Sequence, residues 1–265
     1  MYNFTYHRPA TLADAVSLLG SMEDGKALSG GQTLLPTLKQ RLASPADLVD
    51  LSRVPDLKGV RDEAGGLTIG AFTHHADVAD SNLVARVIPA LARLAGGIGD
   101  RQVRHRGTLG GSIANADPAA DYPAAVLGLN ATVRTDRREI AGDDFFTGMF
   151  ETALAPGELV TAVHFPKPDA AGYAKFANPA SRYAMVGVFI ARFGGDVRVA
   201  VTGAGPSVFR VPAMEAALAA SFTPDAVAGI TVPADGLNSD MHASADYRAH
   251  LVTVMAKRAM MQAVG

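Results

Sequence analysis

Twice in this chain a glycine pair sits in a polar turn, at Ser29-Gly30-Gly31-Gln32-Thr33, where a helix N-terminus follows, and at Arg106-Gly107-Thr108-Leu109-Gly110-Gly111-Ser112. Glycine pairs permit φ > 0 and remove two Cβ atoms, so successive backbone N–H groups can close around an anion. After the first pair, Leu34, Leu35, Leu38 and Leu42 recur at helical spacing, with Pro36 in the first turn, where a missing N–H costs little. The order is short strand, turn, helix N-terminus, an arrangement whose unsatisfied N–H groups and dipole favour negative charge. A lone Gly-Gly is an ordinary turn. Here both pairs are followed by hydroxyl or amide side chains, and the second lies among Arg104, Arg106, Asn115 and Asp121, more polar functionality than a turn requires. A pyrophosphate clamped between two loops accounts for the whole set.

Composition removes the competing classes. The 265 residues suit one large or two modest domains. At 48% hydrophobic and 19% charged, the chain is neither disordered, collagen-like nor a coiled coil. Lys+Arg 24 against Asp+Glu 26 leaves −2, without the basic excess that general nucleic-acid binding needs. Uncharged runs such as Ala27–Leu38 and Tyr122–Val133 fall short of the roughly 20 residues that span a bilayer, so no transmembrane helix is expected. The opening Met1–Pro9 has no basic start leading into an apolar run, which favours a cytoplasmic location. Zero Cys excludes disulfides, thiolate zinc, Cys-ligated iron–sulfur clusters and Cys nucleophiles from this chain. Any redox centre it holds is organic, or ligated by His and carboxylates.

Periodicity supplies the organisation. A helix capped by Thr11 ends near Gly20, strands are expected at Asp47–Leu51 and Leu67–Phe72, and the polar stretch Pro55–Gly66 between them reads as a subdomain joint. One helix is expected over Asn82–Ala95, then strands at Ala131–Thr135, Arg138–Ala141 and Glu158–Phe165. Pro166–Gly172 reads as a linker, which divides the chain into 1–168, with parts of about 1–56 and 57–168, and 169–265. Beyond it, Ala184–Phe193 and Val197–Thr202 joined by Gly194-Gly195-Asp196 predict an antiparallel hairpin, with helices at Pro212–Ala220 and Asp246–Ala263.

Several features take plain readings. Gly203-Ala204-Gly205-Pro206-Ser207-Val208 imitates a dinucleotide fingerprint, but Pro206 deletes a donor, Val208 replaces the third Gly, and the preceding hairpin is antiparallel. With that motif rejected, no dedicated NAD site is expected, and quinone, oxygen or a carrier protein would take electrons. His74 and His75 are adjacent, so they point to different sides and suit solvated or capping roles. Asp117 suits a turn. The cluster Arg101, Arg104, His105 and Arg106 is either a solvated face or a counter-charge to phosphate or partner. Met255, Met260 and Met261 fill core or interface at helical spacing.

The two loops, read as Ser29–Pro36 and Gly107–Asp121, resemble the flavin-binding signatures of the FAD-binding (medium) subunit of molybdenum hydroxylases, the xanthine dehydrogenase and aerobic carbon monoxide dehydrogenase family. The likeness extends to Phe4–Pro9, Lys175–Tyr183 and Asp240–Leu251; Leu109 stands where Ile or Val is commoner. The resemblance implies an α+β fold, with a two-part N-terminal FAD-binding region, a smaller C-terminal domain of antiparallel sheet and helices, and FAD extended in the cleft between them. Carried over by position, the backbone of Lys26, Ala27, Leu28, Ser29, Gly30, Gly31, Gln32 and Thr33 and that of Thr108, Leu109, Gly110, Gly111 and Ser112 would hold the pyrophosphate. Asp121 would bond toward the ribose or ribityl part, Ile98 and Val160 would make apolar contacts, and Lys175 would reach in from the C-terminal side. No metal site and no catalytic side chain is implied, the redox chemistry belonging to FAD.

The resemblance further implies an oxidoreductase complex, a dimer of heterotrimers, with molybdenum cofactor on a large subunit and two [2Fe–2S] clusters on a small one. This chain would accept electrons from the clusters and pass them on. A self-contained flavin oxidoreductase and a flavin-free assembly module are the alternatives.

Overall fold

Close to the N-terminus, strands Thr5–His7, Gly25–Leu28 and Asp47–Asp50 form a parallel sheet with Asp47–Asp50 in the middle. The structure is a computed structural model and describes every residue except Ala64. Parallel strands need crossovers, and helices Leu12–Ser21 and Leu34–Lys39 supply them. Thr11 caps the first, its Oγ1 accepting from the Asp14 amide at 3.1 Å. Ala15, Leu19, Val49, Leu51 and Val54 pack beneath this layer against Phe72 and Leu159.

The second layer is antiparallel, with strands Val60–Glu63, Gly66–Gly70, Val160–Pro166, Thr132–Thr135 and Glu139–Ala141 in that spatial order. Leu67, Ile69, Val133, Val163 and Phe165 enter the largest core, which helices Asn82–Val87, Pro89–Gly96, Leu109–Asn115 and Tyr122–Gly128 complete. The single helix expected over Asn82–Ala95 is two helices. Pro89 drives Ile88 out of the helical region, to φ −138° and ψ 74°, and starts the second helix itself.

A third sheet, also antiparallel, orders Ala170–Ala177, Ala184–Phe193, Asp196–Thr202 and Phe209–Arg210. Strand Ala184–Phe193 is apolar at nearly every position because both of its faces are covered. Phe189 and Ala191 join the main core, whereas Val186, Val188 and Ile190 join a separate core beneath the long helix Ala245–Val264. Phe193 pairs with Asp196 around Gly194, at φ 59°, as the hairpin motif predicts. The fold is α+β.

Pro166–Gly172 is not wholly a linker, since the third sheet begins at Ala170. A Cβ on Gly172 would lie 1.9 Å from the carbonyl oxygen of Ala259 in the long helix. Glycine is there to let helix backbone meet strand backbone, a packing demand that imitates loop composition.

One ion pair on this scaffold carries a pH signature. The Glu158 carboxylate accepts from Arg138 Nε at 3.0 Å, Thr135 Oγ1 at 2.8 Å and the Ala155 amide at 2.8 Å. The Arg138 guanidinium foremost, with these other donors, holds Glu158 at about 2, below the ordinary 4.5. A folded pKa below the unfolded one stabilises above the unfolded value and is lost as pH falls through the folded value. Glu158→Gln should therefore show a shallower loss of stability between pH 4.5 and about 2 in denaturation followed by circular dichroism. Coincident acid limbs would mean that the pair contributes nothing.

Candidate functional site

The two glycine turns, far apart in sequence, touch. Ser29 Oγ and Thr108 Oγ1 are hydrogen-bonded at 2.7 Å, and a Cβ on Gly30 would fall 2.0 Å from the Arg106 carbonyl oxygen. Beside this crossing opens a cleft of about 520 Å³, within the range of sites that bury a small-molecule ligand. Both turns line it, as do Lys26, Ala27, Ile98, Val160, Asp121 and His75.

Their backbones differ. Gly31, at φ 74°, turns the chain into its helix, and the amides of Gly30, Gly31, Gln32 and Thr33 have no protein acceptor among the described residues. In the second turn the amides are largely engaged: Leu109 donates to Thr73 O at 3.1 Å, Gly110 to Ala71 O at 2.8 Å, Ser112 to Thr108 O at 3.0 Å and Gly111 to Thr108 Oγ1 at 3.2 Å. The expectation of two equivalent amide cradles is thus altered, because the second turn begins a helix packed on Ala71, where a Cβ on Gly110 would stand 2.5 Å from the Ala71 Cβ. Leu109 is fully buried, and Leu28 is half-buried; neither lines the cleft.

Asp121 lies on the wall, 3% exposed, where its carboxylate accepts from Tyr173 Oη at 2.6 Å and pairs with Lys175 Nζ at 2.8 Å. Burial pushes this carboxyl above the usual carboxylate range against the pull of Lys175 and Tyr173. Burial likewise raises the Tyr173 phenol, helped by the adjacent Asp121 charge. Lys175 does not itself line the cleft. Its Nζ also donates to Gly97 O at 3.0 Å and Arg182 O at 2.8 Å, tying the third sheet to both segments.

The remaining polar residues resolve individually. Asp117 Oδ1 accepts from the Ala119 amide at 2.9 Å, a turn bond. Arg104 Nη1 donates to the Ile98 and Gly99 carbonyls, both at 3.0 Å, and so braces a turn on the cleft wall, while Arg101, His105 and Arg106 are exposed. His74 stands at the N-cap of helix His75–Ala79, its Nδ1 3.2 Å from Asp77 Oδ2. His75 departs from the solvated or capping role: it is buried, and burial, with His74 and Arg104 adding to it, lowers the imidazole to about 4. Neighbour spacing could not reveal this, since the residues that cover it come from distant segments. Among the described residues no set of three or more His, Cys, Asp or Glu is arranged for a metal, and no helix is long and apolar enough to cross a membrane.

Residues 2–168 match the family described as the FAD binding domain in molybdopterin dehydrogenase. The chain is 37% identical over 272 residues to the nicotine 6-hydroxylase medium subunit of Paenarthrobacter nicotinovorans, covering 97% of this chain and 96% of that one. It is 38% identical over 288 residues to the carbon monoxide dehydrogenase medium chain of Afipia carboxidovorans, covering 98% and 96%. Among solved structures it resembles a chain of reconstituted CO dehydrogenase from Oligotropha carboxidovorans, with a TM-score of 0.88, 33% identity and coverage of 98% and 97%.

Proposed function

The chain belongs to the family of FAD-binding domains of molybdopterin dehydrogenases, and from that premise we propose that it holds FAD in the cleft beside its crossed glycine turns and serves as the electron-transferring medium subunit of a molybdenum hydroxylase. The observation that carries this reading is the run of four unpaired amides, Gly30–Thr33, on the wall of a cleft of about 520 Å³. Unpaired N–H groups on a glycine turn suit a pyrophosphate, and the apolar wall at Ile98 and Val160 suits a flat aromatic ring.

The chain's residues divide the work. The backbone from Lys26 to Thr33, with its free donors at Gly30–Thr33, holds phosphate. Thr108, Gly110, Gly111 and Ser112 form the facing wall, where the Thr108 amide and Ser112 hydroxyl remain unpaired among the described residues. Asp121 presents an acceptor for a sugar hydroxyl, and Lys175 with Tyr173 fixes that carboxylate in place. Bound FAD supplies a centre able to exchange electrons singly or in pairs. Lacking Cys, the chain relies on a partner for any Cys-ligated iron–sulfur cluster. A small iron–sulfur subunit and a large molybdenum-cofactor subunit, in a dimer of heterotrimers, complete the complex in this reading. The boundary between the FAD-binding region 1–168 and the C-terminal domain 169–265 is supported by the start of the third sheet at Ala170.

Affinity purification of the chain from its host tests the proposal. Stoichiometric FAD accompanied by molybdenum and iron is expected. Recovery of the chain alone with FAD, oxidising a small donor unaided, would replace the subunit by a self-contained oxidoreductase, and recovery in a complex without flavin would leave an assembly module.

A further inference from the structure

His75 is a buried titratable side chain on the cleft wall to which the reading above gives no role. Its amide donates to the Gly107 carbonyl at 3.0 Å, which pins the residue to the start of the second turn. The imidazole lies against the same glycine: a Cβ on Gly107 would stand 2.7 Å from His75 Nε2, and a Cβ on Gly30 would stand 2.8 Å from Gly107 Cα. Nε2 therefore sits at the crossing of the two turns.

The two ring nitrogens are in unlike surroundings. Nδ1 is sealed from solvent with no hydrogen-bond partner among the described residues. The Tyr122 ring packs with its centroid 5.4 Å away, but its hydroxyl is itself unpaired and does not reach Nδ1. Nε2 is not sealed and bonds to no protein atom among the described residues. A neutral imidazole carries its proton on one nitrogen only. Orphaned buried N–H groups are rarer than under-satisfied acceptors, so the proton belongs on Nε2 and the lone pair on Nδ1.

We propose that His75 is a neutral hydrogen-bond donor, its Nε2–H directed at a phosphate oxygen of the dinucleotide held between the turns. This rests on the reading that FAD occupies this cleft. A donor that stays uncharged gives the site the same grip on phosphate across physiological pH. The groups facing it agree with a neutral ring: the His74 ring precedes it, Arg104 approaches from helix Arg101–Arg104, and Tyr122 from helix Tyr122–Gly128. The neighbouring helices Asn82–Val87 and Pro89–Gly96 contribute only Arg86 and Arg93, both exposed. Among the described residues no carboxylate is hydrogen-bonded to the ring to draw a proton onto it.

The test strips FAD from the full chain, purified with whatever partners accompany it, and titrates the cofactor back by flavin fluorescence. His75→Phe, which keeps a ring and deletes the donor, should weaken FAD about tenfold to a hundredfold, with the melting temperature of the flavin-free form unchanged. His75→Gln, which returns an N–H, should recover most of the loss. Wild-type affinity should be level between about pH 5.5 and 8, where a histidine of ordinary pKa would tighten binding on acidification. Ring nitrogen NMR of the wild type should show a neutral ring with the proton on Nε2, a result that stands even if a variant fails to fold. Wild-type affinity in His75→Phe, or a proton found on Nδ1, overturns the proposal while leaving FAD in the cleft. Acid-tightened binding that persists in His74→Gln overturns it as well. A wild-type chain that takes up no FAD overturns the cofactor reading itself.

Discussion

Lys175→Met is expected to destabilise the chain by about 3–5 kcal/mol, the cost of leaving a buried carboxylate without its partner. Asp121 is 3% exposed and Lys175 Nζ stands 2.8 Å from it, so removing the ammonium leaves the Tyr173 hydroxyl, at 2.6 Å, as the one side-chain donor the carboxylate retains among the described residues. The same substitution cuts the bonds from Nζ to Gly97 O and Arg182 O. The carboxyl, already raised by burial, would rise further. An acid whose folded pKa exceeds its unfolded one loses stability as pH climbs toward the folded value. The variant should therefore be penalised more at pH 8 than at pH 5. Adding Asp121→Asn to Lys175→Met should recover part of the loss, because no charge is then stranded. Urea denaturation of the four members of this cycle measures the coupling, and a single variant within about 1 kcal/mol of wild type would show that Asp121 does not depend on Lys175.

Gly30→Ala should be the most damaging single methyl group in the cleft. Its Cβ would stand 2.0 Å from the Arg106 carbonyl oxygen and 2.8 Å from Gly107 Cα, both backbone, so relief requires the two turns to part. Parting them breaks the 2.7 Å bond between Ser29 and Thr108 and opens the cradle of unpaired amides. Overpacking of this kind costs about 1–3 kcal/mol, and where that cost falls on the binding-competent cradle flavin retention should fall about fivefold to 150-fold. Gly111→Ala should be milder, since its Cβ would meet a hydroxyl, Thr108 Oγ1, at 2.9 Å. Gly20→Ala is the control: it lies in a helix with nothing within 4 Å, and alanine there should be neutral or stabilising. Undiminished flavin absorbance in Gly30→Ala would show that the crossing of the turns is not needed for binding.

The reason for that damage differs from the one the sequence suggests. A glycine pair before a helix implies that a Cβ would crowd a bound phosphate, whereas at Gly30 it would first strike the chain itself. Gly172 repeats the ambiguity, with linker composition on a strand that a helix backbone touches. A missing Cβ marks a close approach without naming what approaches. His75 shows the converse, a residue with no distinguishing local pattern that segments around Tyr122 and Gly107 cover and hold neutral.

What the sequence by itself determined is what neighbouring residues decide among themselves. The Thr11 cap, the Gly194 hairpin and the positive φ of Gly31 are settled by sterics and hydrogen bonds over a few residues. The run Ala184–Phe193, apolar at every position but Arg192, called for cover on two faces. Only the tertiary structure decided which amides stay unpaired, that Lys175 serves Asp121, and which atom Gly30 makes room for. Those outcomes join residues such as Ser29 and Thr108, 79 positions apart. Their contacts are set by how sheets and helices stack to bury apolar surface, and no local pattern of polar residues encodes that stacking.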